Sequence, residues 1–105
     1  MKHTVTRTKV TTVAELSEKL GKRVQIGSYE IALFKLSNGS VRAIENRCPH
    51  KGGVLSEGMI SENSVFCPMH DWKINLDNGK VHEPDIGCVK TYQVEVINDE
   101  VYIIL

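Results

Sequence analysis

Short apolar runs, several rich in β-branched residues and bounded by turn signals, recur along this chain, the pattern of a mostly β protein. Residues 3–10, "HTVTRTKV", are rich in β-branched types and read as a first strand. Residues 11–21, "TTVAELSEKLG", break this pattern. Thr12 and Glu15 fit a capping box, Val13, Leu16 and Leu20 share one face, and Gly21 can end the turn, so a short helix is predicted near residues 12–20. "RVQIG" and "YEIALFKL" follow as strands. The stretch 29–36 is apolar on both faces, as a strand inside a sandwich must be. "SNGS" at 37–40 is a hairpin turn and "VRAIE" at 41–45 the return strand.

From Asn46 to Ile60 the pattern lapses, and three glycines fall there. "SVF" at 64–66 is a short strand. "WKINL", "DNG" and "KVH", residues 72–82, form a further hairpin, and 83–90 read as a loop. "YQVEVI", "ND" and "EVYIIL" close the chain as a last hairpin. The expected fold is all-β, a compact antiparallel sandwich with two loops at one tip and one short helix. A length of 105 residues suits a single domain, 1–105.

Charge and composition exclude more than they assign. Thirteen basic and thirteen acidic residues cancel, which removes the electrostatic case for nucleic acid. The charges are unevenly spread: six Lys/Arg against two Glu in residues 1–24, and three Lys against seven Asp/Glu in 71–105. Two solvated faces explain this, and so does a surface that orients a charged partner. No run approaches a membrane span and the first residues lack an apolar signal core, so a cytoplasmic protein is expected.

The chemistry lies in two fragments, "NRCPHKGG" at 46–53 and "FCPMHDW" at 66–72. Each places Cys-Pro before a histidine: Cys48 with His50, and Cys67 with His70. Two thiolates and two imidazoles can hold a tetrahedral zinc or a [2Fe–2S] cluster. Pro49 and Pro68 stiffen the loops, and Gly52 and Gly53 allow close backbone approach. Ligand types alone leave both metals open, but spacing separates them. Structural zinc hairpins pair like ligands, whereas each loop here contributes one Cys and one His, as a cluster with an all-Cys iron and an all-His iron requires.

Cys-x-His with Cys-x-x-His is the signature of Rieske ferredoxins. Together "ENRCPHKGGVLSEG" and "VFCPMHDWKINLDNGKVHEPDIGCVKTYQVEV" resemble the small subunits of bacterial NAD(P)H-dependent assimilatory nitrite reductases. That resemblance implies a Rieske-type antiparallel β-sandwich with a [2Fe–2S] cluster held by Cys48, His50, Cys67 and His70. It also implies a large partner subunit carrying flavin, a [4Fe–4S] cluster and sirohaem, which reduces nitrite to ammonium. A free ferredoxin of an aromatic-ring dioxygenase is the alternative, and a zinc-held binding module a third. No nucleophile–base pair or phosphate loop is visible, so the chain is expected to move electrons without an active site of its own.

High-potential members of the wider family carry an extra cysteine in each loop, forming a disulfide. Gly53 or its neighbours and Met69 stand there instead. Those members also carry Ser and Tyr hydroxyls after the second histidine, where this chain has Asp71, Trp72, Lys73 and Ile74. Fewer donors to sulfur imply a potential near the low end of the Rieske span, about −150 mV. Elsewhere, Cys88 reads as a small buried hydrophobe, Trp72 as packing under its loop, and His82 as exposed. His3 carries no signal. Lys51 is expected at the cluster edge, facing an acidic partner patch or simply water, and Asp71 beside His70.

Overall fold

Among the described residues nine strands follow in chain order: β1 (Arg7–Thr12), β2 (Lys22–Ile26), β3 (Tyr29–Lys35), β4 (Val41–Glu45), β5 (Met59–Ser61), β6 (Ser64–Phe66), β7 (Lys73–Asn75), β8 (Thr91–Ile97) and β9 (Glu100–Ile104). The structure is a computed structural model and describes residues 7–18, 20–48, 53–68, 72–82 and 87–105. Six strands form one sheet in the order β1-β9-β8-β4-β3-β2, and β5-β6-β7 form a second. Every pairing between these strands is antiparallel.

β3 is apolar on both faces because it serves two cores. Ala32 and Phe34 pack with Ile44, Leu55, Val65 and Ile74, in the space between the large and the small sheet. Ile31 and Leu33 pack the other way, with Leu16, Val41, Ala43, Val101 and Ile103. All four of the β3 side chains are fully buried. The closing hairpin β8–β9 turns at Asn98 and Asp99, with φ of 50° and 70°. Two positive φ values in succession match the strand twist, and Asn and Asp tolerate them at least cost.

The helix expected near 12–20 shrinks to one 3-10 turn, Val13–Glu15. Thr12 stays in strand geometry, paired with Glu100 of β9. The Val13 N–H donates to the Asp99 carbonyl at 2.9 Å, so the β8–β9 turn takes the donor that would have opened a helix. Glu15 is held by the Thr11 and Thr12 hydroxyls, and Leu16 leaves in extended geometry. Tertiary pairing thus overrides a helical period only two turns long. Leu16 reaches the core, but Leu20 is 65% exposed.

The stretch 46–60 is more ordered than its pattern suggests. It holds a second 3-10 turn, Leu55–Glu57, and then β5, which pairs with β6 from Met59↔Phe66 to Ser61↔Ser64. β5 has only three residues and shows no usable alternation, with Met59 75% exposed.

Candidate metal centre

Cys48 follows the end of β4 in the large sheet, and Cys67 follows β6 in the small sheet. Both are 1% exposed and belong to the same buried cluster, so the two sheets bring their cysteines to one core. Neither is in a disulfide. Two buried thiols outside any disulfide are a donor set for a soft metal or an iron–sulfur cluster.

One backbone device repeats at both loop roots. The Cys48 N–H donates to the Gly53 carbonyl at 2.8 Å, and the Cys67 N–H donates to the Trp72 carbonyl at 2.8 Å. Each bond joins residues five apart in sequence, so the two cysteines occupy equivalent places at the loop roots. Trp72 is partly buried against the cluster core, as its sequence position suggested.

The histidines His50 and His70 lie outside the described residues, as do Pro49, Lys51, Gly52, Met69 and Asp71. Among the described residues no three His, Cys, Asp or Glu side chains assemble as a metal set. The described part of the site is therefore its two thiols and their support.

Part of that support went unnoticed in the sequence. Asn46 is 3% exposed; its Oδ1 accepts the Ser56 backbone N–H at 2.7 Å and its own N–H donates to the Glu30 carbonyl at 3.0 Å. The available signal was the alternation Ile44, Asn46, Cys48, which continues β4 inward after the strand itself ends. Arg47, between them, is exposed and makes no ion pair among the described residues. Lys90 lies over the rings of Tyr29 and Tyr92, 5.4 and 5.2 Å from their centroids. Burial pushes the Tyr92 phenol above its ordinary value, with Glu45 adding to the shift.

Two other expectations need correction. Cys88 is exposed, not a buried hydrophobe: it forms a bridge with Lys80 at the surface, while its neighbour Val89 takes the inward place. His82 is half-buried rather than exposed, with its ring nitrogen 3.4 Å from the Ser64 hydroxyl and its backbone N–H donating to the Lys73 carbonyl.

The family profile of the Rieske [2Fe-2S] domain matches residues 6–93. The 3-phenylpropionate/cinnamic acid dioxygenase ferredoxin subunit of Photorhabdus laumondii subsp. laumondii is 35% identical over 96 residues, covering 90% of each chain. A structure provisionally assigned as the NADH-dependent nitrite reductase small subunit of Mycobacterium tuberculosis superposes with a TM-score of 0.89 at 24% identity, covering 98% of this chain and 97% of that one. Another, provisionally assigned as an NADPH nitrite reductase small subunit, superposes with a TM-score of 0.84 at 26% identity, covering 93% and 97%. The chain spans only 14 to 23% of the length of several larger curated relatives that it also matches. The buried, unbridged thiols at the roots of two like loops suit the cluster that this family carries. A bound [2Fe–2S] cluster supplies one-electron transfer.

Proposed function

The chain belongs to the Rieske [2Fe–2S] domain family, and from that premise we propose that it is the electron-transfer small subunit of an NAD(P)H-dependent assimilatory nitrite reductase. Its cofactor is a Rieske-type [2Fe–2S] cluster. In this reading Cys48 and Cys67 ligate one iron and His50 and His70 the other, within a single domain, 1–105, in the cytoplasm. No helix among the described residues is long and apolar enough to cross a membrane. The partner is the large subunit that holds flavin, a [4Fe–4S] cluster and sirohaem, and nitrite is reduced there rather than on this chain.

The observation that carries this reading is the nearly end-to-end likeness to the structure provisionally assigned as an NADPH nitrite reductase small subunit, extended by the sequence resemblance of both loops. None of the three cysteines of the chain is in a disulfide, in keeping with a Rieske site that lacks a loop disulfide. A second reading, a ferredoxin that feeds a ring-hydroxylating oxygenase, is favoured by the curated ferredoxin subunit that matches across nine-tenths of both chains.

Anaerobic purification should yield about two iron and two acid-labile sulfide per chain, with a Rieske-type paramagnetic signal on reduction. One tightly held zinc without sulfide would sink the cluster assignment. The partner is tested by adding the holoprotein to a flavin–sirohaem large subunit. Stimulated NAD(P)H-dependent ammonium formation is expected. No stimulation there, with rapid electron delivery to a ring-hydroxylating oxygenase, would replace the first reading with the second.

A further inference from the structure

Asn46 stands two residues before Cys48, and both side chains are buried while Arg47 between them is exposed. The Asn46 amide cannot rotate freely between its two orientations. Its oxygen must face the Ser56 N–H, because the flipped form would set two donors against each other at 2.7 Å. The amide nitrogen is therefore fixed as well. Nδ2 is sealed from solvent and has no hydrogen-bond partner among the described residues; no other buried side-chain nitrogen or oxygen there is left in this state. A buried donor left unmade costs about 1–3 kcal/mol. Ser56 alone does not require that donor, since any acceptor oxygen would serve it.

We propose that Asn46 Nδ2 is a hydrogen-bond donor to the sulfur side of the bound cluster, the Cys48 thiolate or a neighbouring sulfide, and that it raises the reduction potential. The inference rests on reading Cys48 as a cluster ligand. Reduction adds one electron to the cluster, its sulfurs become more negative, and a neutral donor stabilises the reduced state more than the oxidised one. Residues 71–74 offer no hydroxyl for this purpose, which leaves Asn46 as a neutral side-chain donor beside the first cysteine.

The test compares the reduction potentials of the holoprotein, Asn46→Asp and Asn46→Ala by protein-film voltammetry, with iron and sulfide counted in each. Asn46→Asp keeps an oxygen for Ser56 and loses the donor; Asn46→Ala loses the donor without adding charge. Both should bind cluster and shift the reduction equilibrium against the reduced state, about tenfold for Asn46→Asp, which is 59 mV for one electron, and less for Asn46→Ala. The deuterium sensitivity of the iron–sulfur stretches should fall in both. A lowered potential in Asn46→Asp alone reports added charge and overturns the proposal. So do unchanged potentials in both variants, or strands that stay folded while neither variant assembles a cluster. If the wild-type chain itself holds no sulfide, the ligand reading fails with it, and that outcome is distinct from a loaded wild type whose potential ignores position 46.

Discussion

Cys67 donates its backbone N–H to the carbonyl of Trp72, five residues on, at 2.8 Å. Cys48 does the same with Gly53, so both N–H groups are satisfied inside the protein chain and the roots of the loops close without any cofactor. Replacing Cys67 with Ser should abolish cluster binding yet keep a β-type circular dichroism spectrum. The amides at 48 and 67 should still exchange slowly in that variant. Fast exchange at both would show that the cluster, not these bonds, closes the loops.

Gly58 has no room for a side chain. A Cβ there would lie 2.1 Å from the Phe66 carbonyl oxygen and 3.0 Å from the Val65 methyl carbon. Gly58→Ala must push back the β6 backbone immediately before Cys67. Overpacking of this kind costs about 1–3 kcal/mol, so a clearly lowered melting temperature and reduced iron content are expected. Met59→Ala, one residue on at an exposed position, should stay within about 0.5 kcal/mol of wild type. Equal melting temperatures for the two variants would contradict the packing argument.

Cys88 is exposed while Cys48 and Cys67 are each 1% exposed. Iodoacetamide on the native holoprotein should add one carbamidomethyl group, mapped to Cys88 by peptide mass. Cys88→Ser should remove the adduct and leave iron and sulfide unchanged. A loss of cluster in that variant would make Cys88 part of the site.

Arg47 puts an exposed positive charge, with no ion pair among the described residues, directly beside Cys48. If the redox partner approaches along this loop with acidic groups, Arg47→Glu should slow electron transfer about tenfold at 10 mM salt, the lower end of steering effects. The difference should shrink as salt rises past 0.1 M, where the screening length is about 10 Å. Stopped-flow rates at several ionic strengths decide it: a deficit independent of salt would mean a contact role instead of steering.

Lys9 donates to Glu100 across the β1–β9 pair at 2.9 Å, and Tyr102 donates to it at 2.8 Å from two residues on along β9. The Lys9 hydrogen bond, then that of Tyr102, hold the Glu100 carboxyl below its ordinary value, and the same Glu100 bond raises the Lys9 ammonium. A depressed carboxyl contributes stability above its unfolded pKa of about 4.3 and loses it as pH falls through the folded value. Lys9 contributes below its unfolded pKa of about 10.4 and loses it as pH rises through the raised one. The trio should therefore be intact between those limits. In an NMR titration Lys9→Met should bring the Glu100 midpoint up toward the ordinary carboxylate value; an unmoved midpoint would contradict the assignment.

The strands that proved legible in sequence are those whose environment is asymmetric or extreme. β8 and β9 alternate because one face meets the core, and their Asn-Asp turn allows little else. β3 is legible for the opposite reason, since Ile31 to Phe34 leave no polar face. β5 escaped notice because three residues with one buried face too short to alternate look like loop. The segment after Thr12 read as helix because Val13, Leu16 and Leu20 have the right spacing, yet spacing says nothing of the Asp99 carbonyl waiting on a distant turn. The two cysteines were found by residue type and interval. Asn46 was not, since a buried amide two residues before a ligand looks like any polar loop residue until its partners are known. The burial of Cys88 was misjudged because sequence cannot tell which of Cys88 and Val89 faces inward.

β3 is the partition between two compartments, and a partition has no outdoors. Most strands keep one row of side chains on which mutation is nearly free, and evolution explores charge and solubility there. Residues 31–34 offer no such row. A swelling or shrinking at Ile31 or Leu33 is felt through the neighbouring Ala32 and Phe34, whose side chains stand in the compartment of Cys48 and Cys67. Engineering of the β1–β9 side, remote as it is from the metal, is thus mechanically linked to it by four consecutive residues that can change only in concert.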